Sequence, residues 1–69
     1  MKVFAERLKG LREEAGLSQN DLSKELKGKI SPAAICYYEQ AKRVPSFDVV
    51  IVLAKFFNVS TDYLAGLED

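Results

Sequence analysis

The stretch from Leu17 to Glu39, LSQNDLSKELKGKISPAAICYYE, constrains the chain most. It reads as two short helices joined by a turn. Ser18 is a good N-cap, and Asp21, three residues on, stands in a capping-box-like position. Leu22 and Leu26, four apart, mark the buried face of the first helix of the pair. Lys27-Gly28-Lys29-Ile30 makes the turn. Ser31 opens the second helix with Pro32 behind it, where a missing N–H costs nothing because that donor has no intrahelical partner. Ile35 and Tyr38 form its inner face, with Glu39 beside them. Helices this short bury too little to stand alone. The flanking segments must therefore be their support.

Those flanks read as three further helices. Over residues 2–15, Phe4, Leu8, Leu11 and Ala15 recur at helical spacing. Gly16 follows, where a left-handed residue belongs, and Leu17 turns the corner. Gln40 to Pro45 is a polar, basic loop ended by proline. Ser46 caps a fourth helix over 47–57, with Phe47, Val50, Ala54 and Phe57 as its core face and Leu53 adjoining. Asn58 closes it, Val59 plugs the corner, and Ser60 caps a last helix anchored by Leu64 and ended by Gly66. The β-branched run 49–52 lacks the alternation and turn flanks of a strand. The expected fold class is all-α, one domain over residues 1–69.

Sixty-nine residues bury only about 60% of the chain's surface, so packing has to be good. One cysteine and no histidine exclude an internal disulfide and leave too few soft ligands for structural zinc, so no cofactor is expected. The start has no signal-peptide pattern. The longest apolar run, Val49 to Ala54, is too short to span a bilayer. These features predict a cytoplasmic protein without a membrane partner. Formal net charge is zero, but it is unevenly placed. Residues 1–43 carry nine basic groups against six acidic ones, and residues 44–69 one against four, Asp69 among them. An anionic partner should meet the first two thirds.

Five short helices with this punctuation resemble the phage repressor and Cro, or XRE-like, family of helix-turn-helix domains. The resemblance rests on LKGLREEAGLSQNDLSKEL, then ISPAAICYYEQAKRVPS, then LAKFFNVSTDYLAG, and covers nearly the whole chain. It implies a compact five-helix, lambda-repressor-like domain whose second and third helices form the helix-turn-helix. Three positions depart from the family pattern. Lys27-Gly28-Lys29 replaces a single glycine, so the second helix ends later or the turn bulges. Ala41 stands where the family has glycine, at a cost of order 1 kcal/mol if its backbone is left-handed. Ser23 replaces a small alanine, a mild change.

The resemblance places the third helix in the major groove of DNA, its first residues against base edges. The outward positions of that helix are Pro32, Ala33, Cys36, Tyr37 and Gln40, the ones out of register with Ile35 and Tyr38. With no Arg, Asn or Gln at Ala33 or Cys36, those positions offer no bidentate contact to guanine or adenine. Ala33 suits a thymine methyl and Tyr37 a phosphate or base, and DNA shape would carry part of the specificity. Gln19 matches the family position that fixes the phosphate backbone, with Ser18 and Ser31 at the neighbouring helix starts. Lys42 and Arg43 lie in the loop that in the family follows the backbone or minor groove, and Lys27 and Lys29 flank the lengthened turn. Arg12 and Glu39 match a structural ion pair of the family. Cys36 is read as a small filler of that face.

Val49, Val52 and Phe56 form a second apolar stripe, which Tyr63 and Leu67 extend. The matching region supplies dimer contacts in related domains, so a homodimer is expected. Catalysis lacks its parts: Glu13 and Glu14 are adjacent and diverge on a helix, and no nucleophile has a base. The expected function is a sequence-specific DNA-binding regulator, a repressor that binds a palindromic operator as a dimer, with no small-molecule ligand. The alternative is a protein-interaction or antitoxin-like module on the same fold. The chain reads equally as a complete Cro-like protein or the N-terminal piece of a longer one.

Overall fold

The computed structural model describes residues 2–68 and contains five helices: α1 (Lys2–Glu14), α2 (Gln19–Glu25), α3 (Pro32–Glu39), α4 (Phe47–Phe57) and α5 (Thr61–Ala65). Asp69, counted above in the acidic tail, lies outside the described residues. No strand occurs among them. The architecture is all-α, as expected.

Serines fix four of the helix starts. Ser18, Ser31, Ser46 and Ser60 each have an extended backbone and a hydroxyl that accepts the N–H three residues on. At Ser18 the exchange is reciprocal: Asp21 N–H donates to its Oγ at 3.0 Å, and Ser18 N–H donates to the Asp21 carboxylate at 3.1 Å. Each such cap stabilises its helix by about 1 kcal/mol. Asn58 ends α4 and Gly66 ends α5 in left-handed conformations. At Gly66 a Cβ would come within 3.0 Å of Val3 Cγ1, so glycine is needed there for space as well as for φ.

α1 packs on α3 and α5, α2 on α3, and α4 on α5. Phe4, Leu8, Leu22, Ile35, Leu53 and Leu64 are completely buried at the junction. Phe4 meets Tyr38 edge to face, ring centroids 5.9 Å apart. Each large side chain buried here stabilises the fold by about 1.5–3 kcal/mol.

Two expected core residues are outside it. Phe47 is 70% exposed, while Val50, Leu53 and Ala54 carry the core face of α4. Phe47 is the first residue of α4, and side chains tilt toward the helix N-terminus, so its ring projects past the end of the core. Ala15 is exposed because α1 ends at Glu14 and the chain turns away, and Ala5 is buried instead.

The lengthened turn bulges. α2 stops at Glu25, and Lys27 and Gly28 are both left-handed, at φ 57° and 76°. Their N–H groups donate to the Lys24 and Ser23 carbonyls at 2.9 and 3.0 Å. The Ser23 hydroxyl, itself buried, donates to the Ile30 carbonyl at 2.7 Å. The serine is thus more than a mild replacement for alanine. It pins the far end of the bulged turn to α2.

Candidate nucleic-acid interface

The site begins at an ion pair inside the fold. Arg12 Nε and Nη2 donate to the two carboxylate oxygens of Glu39 at 2.7 and 2.9 Å, and Nη1 donates to the Leu17 carbonyl at 2.8 Å. Their side chains are 12% and 4% exposed. The bond to Glu39 raises the Arg12 pKa against the opposing effect of burial. Glu39 also accepts from the Gln19 side-chain amide at 3.2 Å. One carboxylate at the end of α3 therefore holds Arg12 of α1 and the first residue of α2, and Arg12 in turn holds the corner at Leu17. Gln19 is half-buried, its amide tethered at one end.

The outward face of α3 is open. Pro32, Ala33 and Gln40 are exposed, Tyr37 is 42% exposed and Cys36 is half-buried. The Gln40 amide donates along its own helix to Cys36 Sγ at 3.2 Å. Ser18 and Ser31 are exposed at the starts of α2 and α3, their hydroxyls occupied by capping. Lys29, Lys42 and Arg43 are exposed. Ala41 is left-handed, at φ 57°. Its N–H donates to the Tyr38 carbonyl at 3.1 Å, and Lys42 N–H donates to the Tyr37 carbonyl at 2.9 Å. This is a Schellman ending. It folds the basic loop back along α3, where the Arg43 guanidinium carbon lies 5.0 Å from the centre of the Tyr37 ring.

The second apolar stripe is only partly open. Val49 and Val52 are half-buried against the core, Phe56 is 36% exposed and Leu67 is 77% exposed. Tyr63 is half-buried under Arg7, whose guanidinium carbon sits 4.3 Å from the ring centre and whose Nη1 donates to the Tyr63 carbonyl at 2.6 Å. Arg7 Nη1 also donates to the Glu68 carbonyl, so it holds the end of the chain against α1. Lys29 and Val52 come together in one groove of about 330 Å³, lined by Lys27, Lys29 and Lys55 with Glu25, and by Leu26, Ile51 and Val52.

Sequence reasoning missed four of these arrangements: the Gln19–Glu39 bond, the Arg7 clamp, the Ser23 tie and the Arg43–Tyr37 stack. Only the last leaves a sequence signal, a left-handed residue needed at Ala41 one turn after an outward aromatic. No helix among the described residues is long and apolar enough to cross a membrane.

A helix-turn-helix family model matches residues 8–64. The chain is similar to the HTH-type transcriptional regulator ImmR of Bacillus subtilis (strain 168), 36% identical over 66 residues that cover 96% of this chain and 50% of that protein. It is also similar to the uncharacterized HTH-type transcriptional regulator YobD of the same organism, 30% identical over 67 residues, 97% of this chain and 58% of that one. The chain thus spans about half the length of the curated relatives it matches.

Proposed function

Because the chain belongs to the helix-turn-helix family, we propose that it is the DNA-binding unit of a transcriptional regulator, residues 1–69 forming one domain that reads duplex DNA with α3. The family is one of DNA-binding proteins and not of enzymes. The observation that carries the reading is the open face of α3, with Tyr37 and Arg43 at one end of it and Gln19 braced beside it through Glu39. A face held this firmly and left uncovered is preorganised for a rigid ligand. On it, Ala33 meets a base edge, Tyr37 and Arg43 lie in the groove, and Gln19, Lys29 and Lys42 meet phosphates. Ser18, Ser31, Pro32 and Cys36 complete the surface by shape.

The finer reading is a cytoplasmic repressor that binds a palindromic operator as a homodimer. Its support is the partly exposed stripe of Val49, Val52 and Phe56, extended by Leu67 and the edge of Tyr63. Pairing by a two-fold axis would set two α3 helices about 34 Å apart on one face of DNA. The groove lined by Lys27, Lys29 and Lys55, three cations against the one carboxylate of Glu25, favours a second reading, a protein-interaction or antitoxin-like module that receives an acidic partner.

Selection from random duplex DNA across a salt series tests both, comparing wild type with Gln19→Ala and Val52→Glu. A palindromic site, weakened by Gln19→Ala and reduced to half-site binding by Val52→Glu, is expected. Each phosphate contact should contribute about 0.9 to the slope of log affinity against log salt. Absence of binding at low salt would overturn the DNA reading and leave the interaction module.

A further inference from the structure

We propose that Tyr37 and Arg43 form one base-reading unit, a guanidinium stacked on an aromatic ring that supplies the guanine contact α3 lacks in its own residues. The proposal rests on the DNA-binding reading above and names what that site recognises. α3, PAAICYYE, contains no cation. Its one outward amide nearby, at Gln40, is turned back to Cys36 Sγ. A guanine presents two acceptors, O6 and N7, to the major groove. Nothing on the helix offers two parallel donors to meet them.

The chain has three arginines, and two are occupied inside the fold. Arg12 holds Glu39 and the Leu17 carbonyl. Arg7 holds the Tyr63 ring and carbonyl and the Glu68 carbonyl. Arg43 has no carboxylate partner among the described residues. Its planar fork of donors is available, and such a fork matches O6 and N7 in a way that the point charge of Lys42 does not.

What places Arg43 on the reading face is backbone geometry. Left-handed Ala41 and the bond from Lys42 N–H to the Tyr37 carbonyl reverse the chain onto the last turn of α3. The guanidinium then lies 5.0 Å from the centre of the Tyr37 ring, which faces outward and is 42% exposed. A cation over an aromatic face is attracted to it and keeps fewer rotamers. The stack therefore presets the fork before DNA arrives, and less order is lost on binding.

The test uses the duplex enriched by wild type from a random pool, with all its single-base-pair variants. Arg43→Lys keeps the charge and removes the fork. It should erase a preference of roughly 5- to 150-fold for guanine at one position of each half-site. Tyr37→Ala should weaken the same preference by about 2- to 5-fold. Tyr37→Phe should restore what Tyr37→Ala loses, because the ring and not the hydroxyl is the platform. In the Arg43→Lys background, Tyr37→Ala should weaken that preference no further. An unchanged base preference in Arg43→Lys, with only the salt slope altered, would mean phosphate contact and overturn the proposal. Failure of Tyr37→Phe to rescue would overturn the stack. If wild type itself binds no duplex at low salt, the regulator reading fails first, and that result is read before any variant.

Discussion

Arg12→Met isolates the cost of leaving Glu39 without its partner. Methionine keeps an unbranched apolar stem but removes the three N–H groups that reach Glu39 and the Leu17 carbonyl. The carboxylate, 4% exposed, is left with the Gln19 amide at 3.2 Å. Breaking a buried ion pair from one side costs about 3–5 kcal/mol, because the remaining charge stays in a poorly solvated place. We take about 3 kcal/mol, since Gln19 remains and α1 can relax. A domain of this length has a total stability of about 3–10 kcal/mol. The variant should therefore melt about 12–24 °C lower, at 4–8 °C per kcal/mol for a domain of this size. Thermal unfolding followed by far-UV circular dichroism measures it, with urea unfolding in the cold if the folded baseline is lost. The double variant Arg12→Met/Glu39→Met should recover much of the loss, because no charge is then stranded. An unchanged melting temperature for Arg12→Met would refute the reasoning. So would a double variant less stable than the single one.

Three further outcomes are expected. Ser23→Ala leaves the buried Ile30 carbonyl without its donor and should cost about 1–2 kcal/mol in urea unfolding, although alanine is the better helix former; equal stability would show that the tie is dispensable. Ala41→Gly relieves a left-handed alanine at φ 57° and should raise stability by about 0.5–1 kcal/mol after the entropy of the unfolded glycine is counted, read as a higher melting temperature. The Ser18 backbone N–H, and then its hydroxyl, hold the Asp21 carboxyl below the ordinary aspartate value. Because the folded-state pKa is the lower one, this contribution is present above the unfolded pKa and is lost as pH falls through the folded pKa. Asp21→Asn should flatten that part of an acid-unfolding profile, and an unaltered profile in the variant would exclude the carboxylate as its source.

Much of the helix scaffold was legible locally. A serine three residues before a free N–H makes its cap wherever the helix lies, so Ser18, Ser31, Ser46 and Ser60 could be read in order. Leu22, Leu26, Ile35 and Tyr38 follow from helical period, since one face must be buried. Phe47 shows where period fails. Its register is correct, but the core reaches Val50 and stops short of the first residue of α4, and only the packing of neighbours decides how far a core extends. The bulge at Lys27 and Gly28 was half legible: the extra residues were visible, but the choice between a longer helix and a bulge depends on where α3 must dock and on the bond from Ser23 to Ile30.

The candidate site divides in the same way. Which residues of α3 face outward could be read from its residue order alone, because that is a property of one helix. Tertiary structure decided what those residues can do. It turned Gln19 onto Glu39, occupied Arg7 and Arg12 within the fold, and laid Arg43 over Tyr37. Side chains far apart in the chain meet only after the helices have packed. A long cation has many possible partners, and the packed fold alone selects among them.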